Sequence, residues 1–445
     1  MCTKFPESAG CRTPLTGGSL PTDTACLARA EAAQLNRAEF TPARRVAAAT
    51  LLAATLFVGA CATSDQPDPD RSASGATAAP TAPSTTPQTP PPVGAERGAL
   101  TAQQPGAPTL GAASVTTIRY RSTSGVDGGG TEVSGTVFVP EGTPPPGGWP
   151  VVTVGHGTTG VGDECAPSRH DDLLGSIRLV KPLLERGYVV TVSDLQGLGT
   201  DGPHPYLEPN SAAYDLIDAV RAARILVPDA STRWAALGVS QGGQASWAAA
   251  ERANDYGDGL EFVGSANLSP AADISGFVNA DGNVEVTVPQ QMFLPTLIAG
   301  LTVLHPELNA DAYLHGELAA NKDTLLACTG PAVVRKLSVA QKLSPEDSRP
   351  STPADVDRMR GWLTELALPK VRAAGPMLVV IGEKDTVILP QWTREAVVRA
   401  CELGDVVALD AQPDQAHADS RAVPPAVEWI ADRFDGMPAP NTCGG

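Results

Sequence analysis

The sequence predicts an α/β fold built on a mostly parallel, doubly wound sheet, and three observations carry that prediction. Residues 234–247, WAALGVSQGGQASW, read as a buried strand, a glycine-flanked turn and a helix. Apolar runs suited to central strands recur at 149–154, 188–193, 262–268, 377–381 and 405–409, with helical segments following several of them. Ser240, Asp385 and His417 each follow one of these runs, in that chain order.

The turn Gly238-Val239-Ser240-Gln241-Gly242 is the most informative of these features. With 44 glycines in the chain, a G-x-S-x-G pattern arises by chance about once in four such sequences, so its setting must decide. A serine on a sharp strand-to-helix turn needs neighbours without side chains two residues either side, because the strand and helix close on them. This is the nucleophile elbow of an α/β-hydrolase, with Ser240 the candidate nucleophile. The bland reading, a glycine-rich surface turn with an idle serine, does not account for the strand and helix that flank it.

Residues before 111 read differently. Arg44-Arg45 precede an apolar run at 46–60 that ends in Val58-Gly59-Ala60-Cys61. A charged segment, a short apolar segment and a small-residue cleavage site make a secretory signal, too short for a membrane span. The last four residues resemble a bacterial lipobox, making Cys61 the lipidation candidate. Residues 1–61 are thus expected to be a leader, with the true start near Leu35 because a signal begins only a few residues before its arginines. Residues 62–110, rich in Ala, Ser, Thr and Pro, are expected to form a disordered tether. The folded part is placed at 111–445.

Charge and cysteines narrow the options. The first 60 residues carry six Lys/Arg and four Asp/Glu, which leaves 26 against 45 in the remainder, a net charge of −19. That balance argues against nucleic acid as a partner and against binding anionic membranes through the protein surface. Cys165, Cys328, Cys401 and Cys443 lie in the folded part. Four cysteines in an exported domain imply two disulfides with three possible connectivities. The favoured pairing is Cys165–Cys328 with Cys401–Cys443, the second closing the C-terminal tail onto the preceding helix. No C-x-x-C pair occurs, and neither a metal nor a cofactor is expected.

Along the chain, residues 114–123 and 131–140 alternate polar and apolar around Asp127-Gly128-Gly129-Gly130 and predict an antiparallel hairpin. The run 149–154 ends in Gly155-His156-Gly157-Thr158. A glycine-flanked loop there brings backbone N–H groups close to a substrate, so the oxyanion donors are expected to be the main-chain N–H groups of Thr158 and Gln241, with His156 bracing the loop. A helix is expected over 171–186. Asp194 and His204, in the Gly- and Pro-rich loop after 193, precede the serine and are read as structural. Beyond 268 the strand–helix alternation stops. Residues 271–370 are expected to be a helical cap over the site, the alternative being a separate partner-binding module. Pro289, Gln290, Gln291 and Pro295 interrupt its most apolar piece, which argues against a membrane span.

In the expected chemistry, His417 takes the Ser240 proton and Asp385 fixes the imidazole. Glu383, Asp410, Asp414 and Asp419 are rival acids, and His305 and His315 rival bases inside the cap. The sequence also resembles the secretory lipase family of fungal and actinobacterial lipase-A-like enzymes. The matching pieces are 238–243, the loop 197–207 (GLGTDGPHPYL), Gly382-Glu383-Lys384-Asp385, His417 and the helical cap. The likeness covers roughly 112–443. It implies hydrolysis of carboxylic esters, acylglycerols foremost, through an acyl-enzyme. The His156-Gly157-Thr158 loop departs from the fungal pattern toward an esterase type, and the lipobox departs from a freely secreted lipase. The leading expectation is therefore an exported serine lipase or esterase held at the cell envelope by an N-terminal lipid, its partner a small-molecule or lipid ester. The alternatives are a serine peptidase or amidase on the same scaffold and a non-catalytic envelope-binding module.

Overall fold

A computed structural model of the chain describes residues 96–279, 284 and 286–444. The candidate start near Leu35, Cys61 and residues 62–95 of the expected tether lie outside them. Nine strands form one sheet: β1 (Leu100–Gly106), β2 (Ala112–Thr123), β3 (Gly130–Pro140), β4 (Trp149–Gly155), β5 (Val189–Ser193), β6 (Ala230–Val239), β7 (Glu261–Leu268), β8 (Met377–Gly382) and β9 (Val407–Gln412). Their spatial order is β1-β2-β3-β5-β4-β6-β7-β8-β9. The first three strands pair antiparallel, as do β3 and β5, and every pairing from β5 to β9 is parallel.

The helices between the central strands are α1 (Ile177–Glu185), α2 (Pro209–Leu226) and α3 (Gln241–Tyr256), followed after β8 by α9 (Pro390–Glu402) and α10 (Val423–Phe434). The sheet is packed on both faces. One layer gathers Trp234, Trp247, Leu216 and Ile217, and the other gathers Val152, Leu179, Leu183 and Ile430. Strands β4 and β5 are buried throughout, or nearly so. Continuous apolar runs are what a parallel sheet covered on two faces demands.

Between β7 and β8 the chain leaves the sheet and forms α4 (Val288–Leu304), α5 (Gly316–Ala320), α6 (Lys322–Leu326), α7 (Gly330–Ala340) and α8 (Pro353–Leu366). They share an apolar core of their own, including Leu297, Leu301, Tyr313 and Trp362, which also takes in Tyr206 and Leu207 from the loop after β5. Among the described residues no helix is long and apolar enough to cross a membrane.

Two expectations need correction. The ordered chain begins before 111. Residues 100–106, placed in the tether, form the edge strand β1 against β2. Six of its seven residues are exposed, so it carries no apolar face for a pattern reading to find; backbone pairing alone makes it a strand. The helix expected over 171–186 is shorter. Leu173, Leu174 and Gly175 all take positive φ (51°, 49° and 88°), which no α-helix accommodates, and α1 starts only at Ile177.

Cys165 pairs with Cys328 and Cys401 with Cys443, the favoured connectivity. The first bond ties the loop after β4 to the segment between α6 and α7. The second ties α9 to the C-terminal tail, whose Thr442 also bonds the backbone of Val407 in β9.

Candidate active site

Ser240 stands between β6 and α3 with φ 58° and ψ −116°, a conformation that a non-glycine residue adopts only where the surroundings impose it. Here three close glycines do so. A Cβ on Gly238 would sit 1.9 Å from the Gly242 carbonyl oxygen, and one on Gly242 would sit 2.0 Å from that of Gly155. The strand, the turn and the loop after β4 therefore interlock backbone to backbone. The Ser240 N–H donates to the Leu268 carbonyl (2.9 Å) and its carbonyl accepts from Gln244 and Ala271, leaving the hydroxyl as its free polar group.

That hydroxyl lies 2.9 Å from His417 Nε2, and His417 Nδ1 lies 2.7 Å from Asp385 Oδ2. Asp385 is buried, and its other oxygen accepts from the N–H groups of Val387 and Ile388. With the carboxylate fixed by two backbone donors, Nδ1 carries the proton and Nε2 is the acceptor for the serine. Residues 177 and 32 positions apart in sequence are thus joined in one hydrogen-bonded chain. The loops bearing the acid and the imidazole are stitched together: Glu383 N–H donates to Gln412 and Lys384 N–H to Gln415. Ala418, at positive φ, donates to the Ser269 hydroxyl.

The rival groups lie elsewhere. Glu383 pairs with Arg394, Asp414 and Asp419 with Arg421, and Asp410 accepts from Gln412. His305 stacks on Trp362 and contacts Glu365, and His315 precedes α5 in the cap.

Gln241 is the first residue of α3, where N–H groups lack intrahelical acceptors. Its side chain is held from behind. His204 Nδ1 donates to the Gln196 carbonyl (2.7 Å), so its Nε2 accepts from the Gln241 amide (2.9 Å). Burial pushes the His204 imidazole down to about 4, consistent with that neutral tautomer. Thr158 follows β4, and its Oγ1 lies 2.7 Å from the Tyr206 hydroxyl. Burial pushes the Tyr206 phenol up to about 12. His156 contacts the carbonyl of Gly157 through Nδ1 and that of Asp194 through Nε2, so it ties the loop after β4 to the one after β5. Asp194 is buried and accepts from Ser134 Oγ (2.6 Å), the Ser168 N–H (2.7 Å) and the Ser168 hydroxyl. Desolvation raises its carboxyl above the usual range against those bonds.

His204 and Tyr206 therefore support the site from behind, a role for which the sequence offers one signal: the density of Gly and Pro in the loop that holds them. Phe293 of α4 was not anticipated at all. It lines both cavities that open at Ser240. The first, under the cap, is apolar and includes Ile274, Phe277, Leu297 and Ile388. Among the described residues, one cluster has metal-ligand types, Glu164 with Cys165 and Cys328, but the two sulfurs are bonded to each other and offer no thiolate.

A mostly parallel nine-stranded sheet, a serine on a strained strand-to-helix turn and a helical insertion after β7 define an α/β-hydrolase fold. The model of the secretory lipase family matches residues 175–442, and the chain belongs to that family. It is accordingly a hydrolase of the lipase and esterase kind. Solved structures agree on the fold. Lipase A of Candida antarctica in its closed state matches at TM-score 0.62 and 18% identity, over 80% of this chain and 86% of that one. A ligand-bound rice cell wall degrading esterase, LipA of Xanthomonas oryzae, matches at TM-score 0.61 and 22% identity, over 77% of this chain and 100% of that one. No curated protein matches the sequence.

Proposed function

We propose that this protein is an exported serine hydrolase of carboxylic esters, acting on acylglycerols or other acyl esters through an acyl-enzyme. The observation that carries the reading is the hydrogen-bonded chain Ser240–His417–Asp385 at the foot of an apolar cavity beneath the cap. His417 Nε2 removes the hydroxyl proton as Ser240 Oγ attacks the ester carbonyl, and Asp385 stabilises the imidazolium. The carbonyl oxygen gains negative charge as the tetrahedral intermediate forms. The N–H groups of Gln241 and Thr158 receive it, on two backbone segments locked by the Gly155–Gly242 approach. The imidazolium then protonates the departing alkoxide, leaving the acyl group on Ser240. Water attacks this ester with His417 again as base, which releases the acid and restores the serine.

Export and anchoring complete the proposal. Two disulfides suit an oxidising compartment, and the segment ending in Cys61 supplies a signal and a lipidation site. The direct test is Ser240→Ala: hydrolysis of p-nitrophenyl esters should vanish while the thermal transition is retained. Undiminished turnover would sink the reading. Labelling of envelope fractions with a lipid precursor should depend on Cys61, and equal labelling of Cys61→Ser would remove the anchor.

A further inference from the structure

Two cavities meet at Ser240, and only one of them reaches His417. The apolar one, about 30 Å³, is lined by Ser240 but not by the histidine. The other, about 190 Å³, is lined by His417 as well as Ser240, with Gly157, Ser176 and Arg178 around it. The imidazolium must protonate the oxygen that leaves, so that oxygen lies against His417. The alcohol part of an ester therefore belongs in the second cavity, and the acyl part in the first.

The wall of the alcohol cavity formed by Ser176 and Arg178 is the start of α1. Its first turn has no acidic residue, and Ser176, the N-cap residue, makes no side-chain capping bond. Asp172, the nearest acid in sequence, has its side chain bonded to the Leu174 N–H in the preceding turn. The Ile177 and Leu179 N–H groups donate to the Asp172 and Ser176 carbonyls, so the helix presents the Arg178 N–H and the positive end of its dipole, with no counter-charge supplied by its first turn. Two further observations point to a ligand. Ser176 is only 5% exposed, yet its hydroxyl has no hydrogen-bond partner among the described residues. Arg178 is exposed and enters no ion pair among them, whereas Arg169, Arg186 and Arg421 each have a carboxylate partner.

We infer that Ser176, Arg178 and the α1 N-terminus form an anion subsite for the alcohol part of the substrate. The class it selects is acyl esters of alcohols that carry a phosphate or a carboxylate. The inference rests on the ester-hydrolase reading above. A hydroxyl donor, a guanidinium and the Arg178 N–H at the helix start are donors suited to a tetrahedral or planar oxyanion. An uncharged alcohol such as glycerol offers these donors hydroxyl acceptors but no charge to balance the guanidinium.

The experiment compares matched esters of one acyl chain at low ionic strength. One pair is 1-acylglycerol 3-phosphate against 1-acylglycerol, and the other is 4-acyloxybenzoate against 4-acyloxybenzamide. The quantity read is the ratio of kcat/KM, charged over uncharged. In the wild-type protein it should exceed one for at least one pair and fall as salt is added. In Arg178→Gln it should drop about tenfold or more, the loss expected for a charge-assisted bond. Ser176→Ala should lower it less, and Lys181→Gln, farther along the same helix, should leave it unchanged. A preference confined to the phosphate pair identifies a phosphorylated alcohol, and one confined to the benzoate a carboxylated one. A wild-type ratio at or below one in both pairs overturns the subsite while the hydrolase stands. So does a ratio that Arg178→Gln does not move. No turnover of any of the four esters overturns the hydrolase reading and the subsite together.

Discussion

The Thr158 Oγ1 and the Tyr206 hydroxyl lie 2.7 Å apart, joining the loop after β4 to the loop after β5 directly beside Ser240. Thr158 offers one of the two proposed oxyanion N–H groups, so the phenol of Tyr206 sets how firmly that group is held. Tyr206→Phe removes the hydroxyl and keeps the ring. A lost buried hydrogen bond costs about 1–2 kcal/mol, which, felt at the transition state, lowers kcat about tenfold. KM should change little, and steady-state kinetics on a p-nitrophenyl ester reads both.

Gly238→Ala tests the interlock that strains Ser240. The added methyl would sit 1.9 Å from the Gly242 carbonyl oxygen and 2.2 Å from its carbon, and neither backbone atom can withdraw without moving α3. The expected outcome is a destabilisation of about 4 kcal/mol or more, seen as a large drop in the thermal transition or as insoluble protein. A variant with wild-type stability and activity would show that the turn is not held this way.

Phe293→Ala tests the partition between the two cavities. Its side chain lines both, and removing it opens one into the other. Turnover of esters with branched or bulky acyl groups should rise relative to straight-chain esters. Stability should fall by about 1–3 kcal/mol, less than for a fully buried phenylalanine, because Phe293 is half-buried. The ratio of kcat/KM for the two ester types is the measurement.

Buried acids shape the alkaline side of stability. Burial pushes Asp215 up to about 8, Glu251 to about 7 and Asp218 to about 6. Each is raised above its unfolded value, so its contribution is complete below about pH 4 and is lost as pH rises through the folded value. His204, lowered to about 4, acts in the opposite sense: its contribution is present above its unfolded value, about 6.5, and is lost as pH falls toward 4. Asp215→Asn should therefore flatten the decline in thermal stability between about pH 5 and pH 8, and the variant should gain on wild type as pH rises. Parallel curves for the two proteins would contradict this.

Much of the fold was legible because its determinants are local. Apolar runs such as 149–154 and 377–381 suit strands covered on both faces, and Gly238 and Gly242 announce a turn that tolerates no side chain. Strand β1 escaped because six of its seven residues face solvent, leaving no pattern. The start of α1 escaped because Leu173 and Leu174, ordinary helix formers, sit at positive φ; their conformation belongs to the loop that closes the alcohol cavity.

The candidate site divides along the same line. Sequence by itself determined the order Ser240, Asp385, His417 and the place of each after a parallel strand, since a doubly wound sheet delivers the ends of its strands to one edge. Only the tertiary structure decided which of several acids meets His417. Glu383, two residues from Asp385, turns to Arg394, and side-chain direction in a loop is not written in its spacing. It also decided that His204 braces Gln241, that Tyr206 braces Thr158 and that Ser176 and Arg178 face the space beside Ser240. Those pairings join loops dozens of residues apart, and only packing of the whole sheet and cap brings such groups within bonding distance.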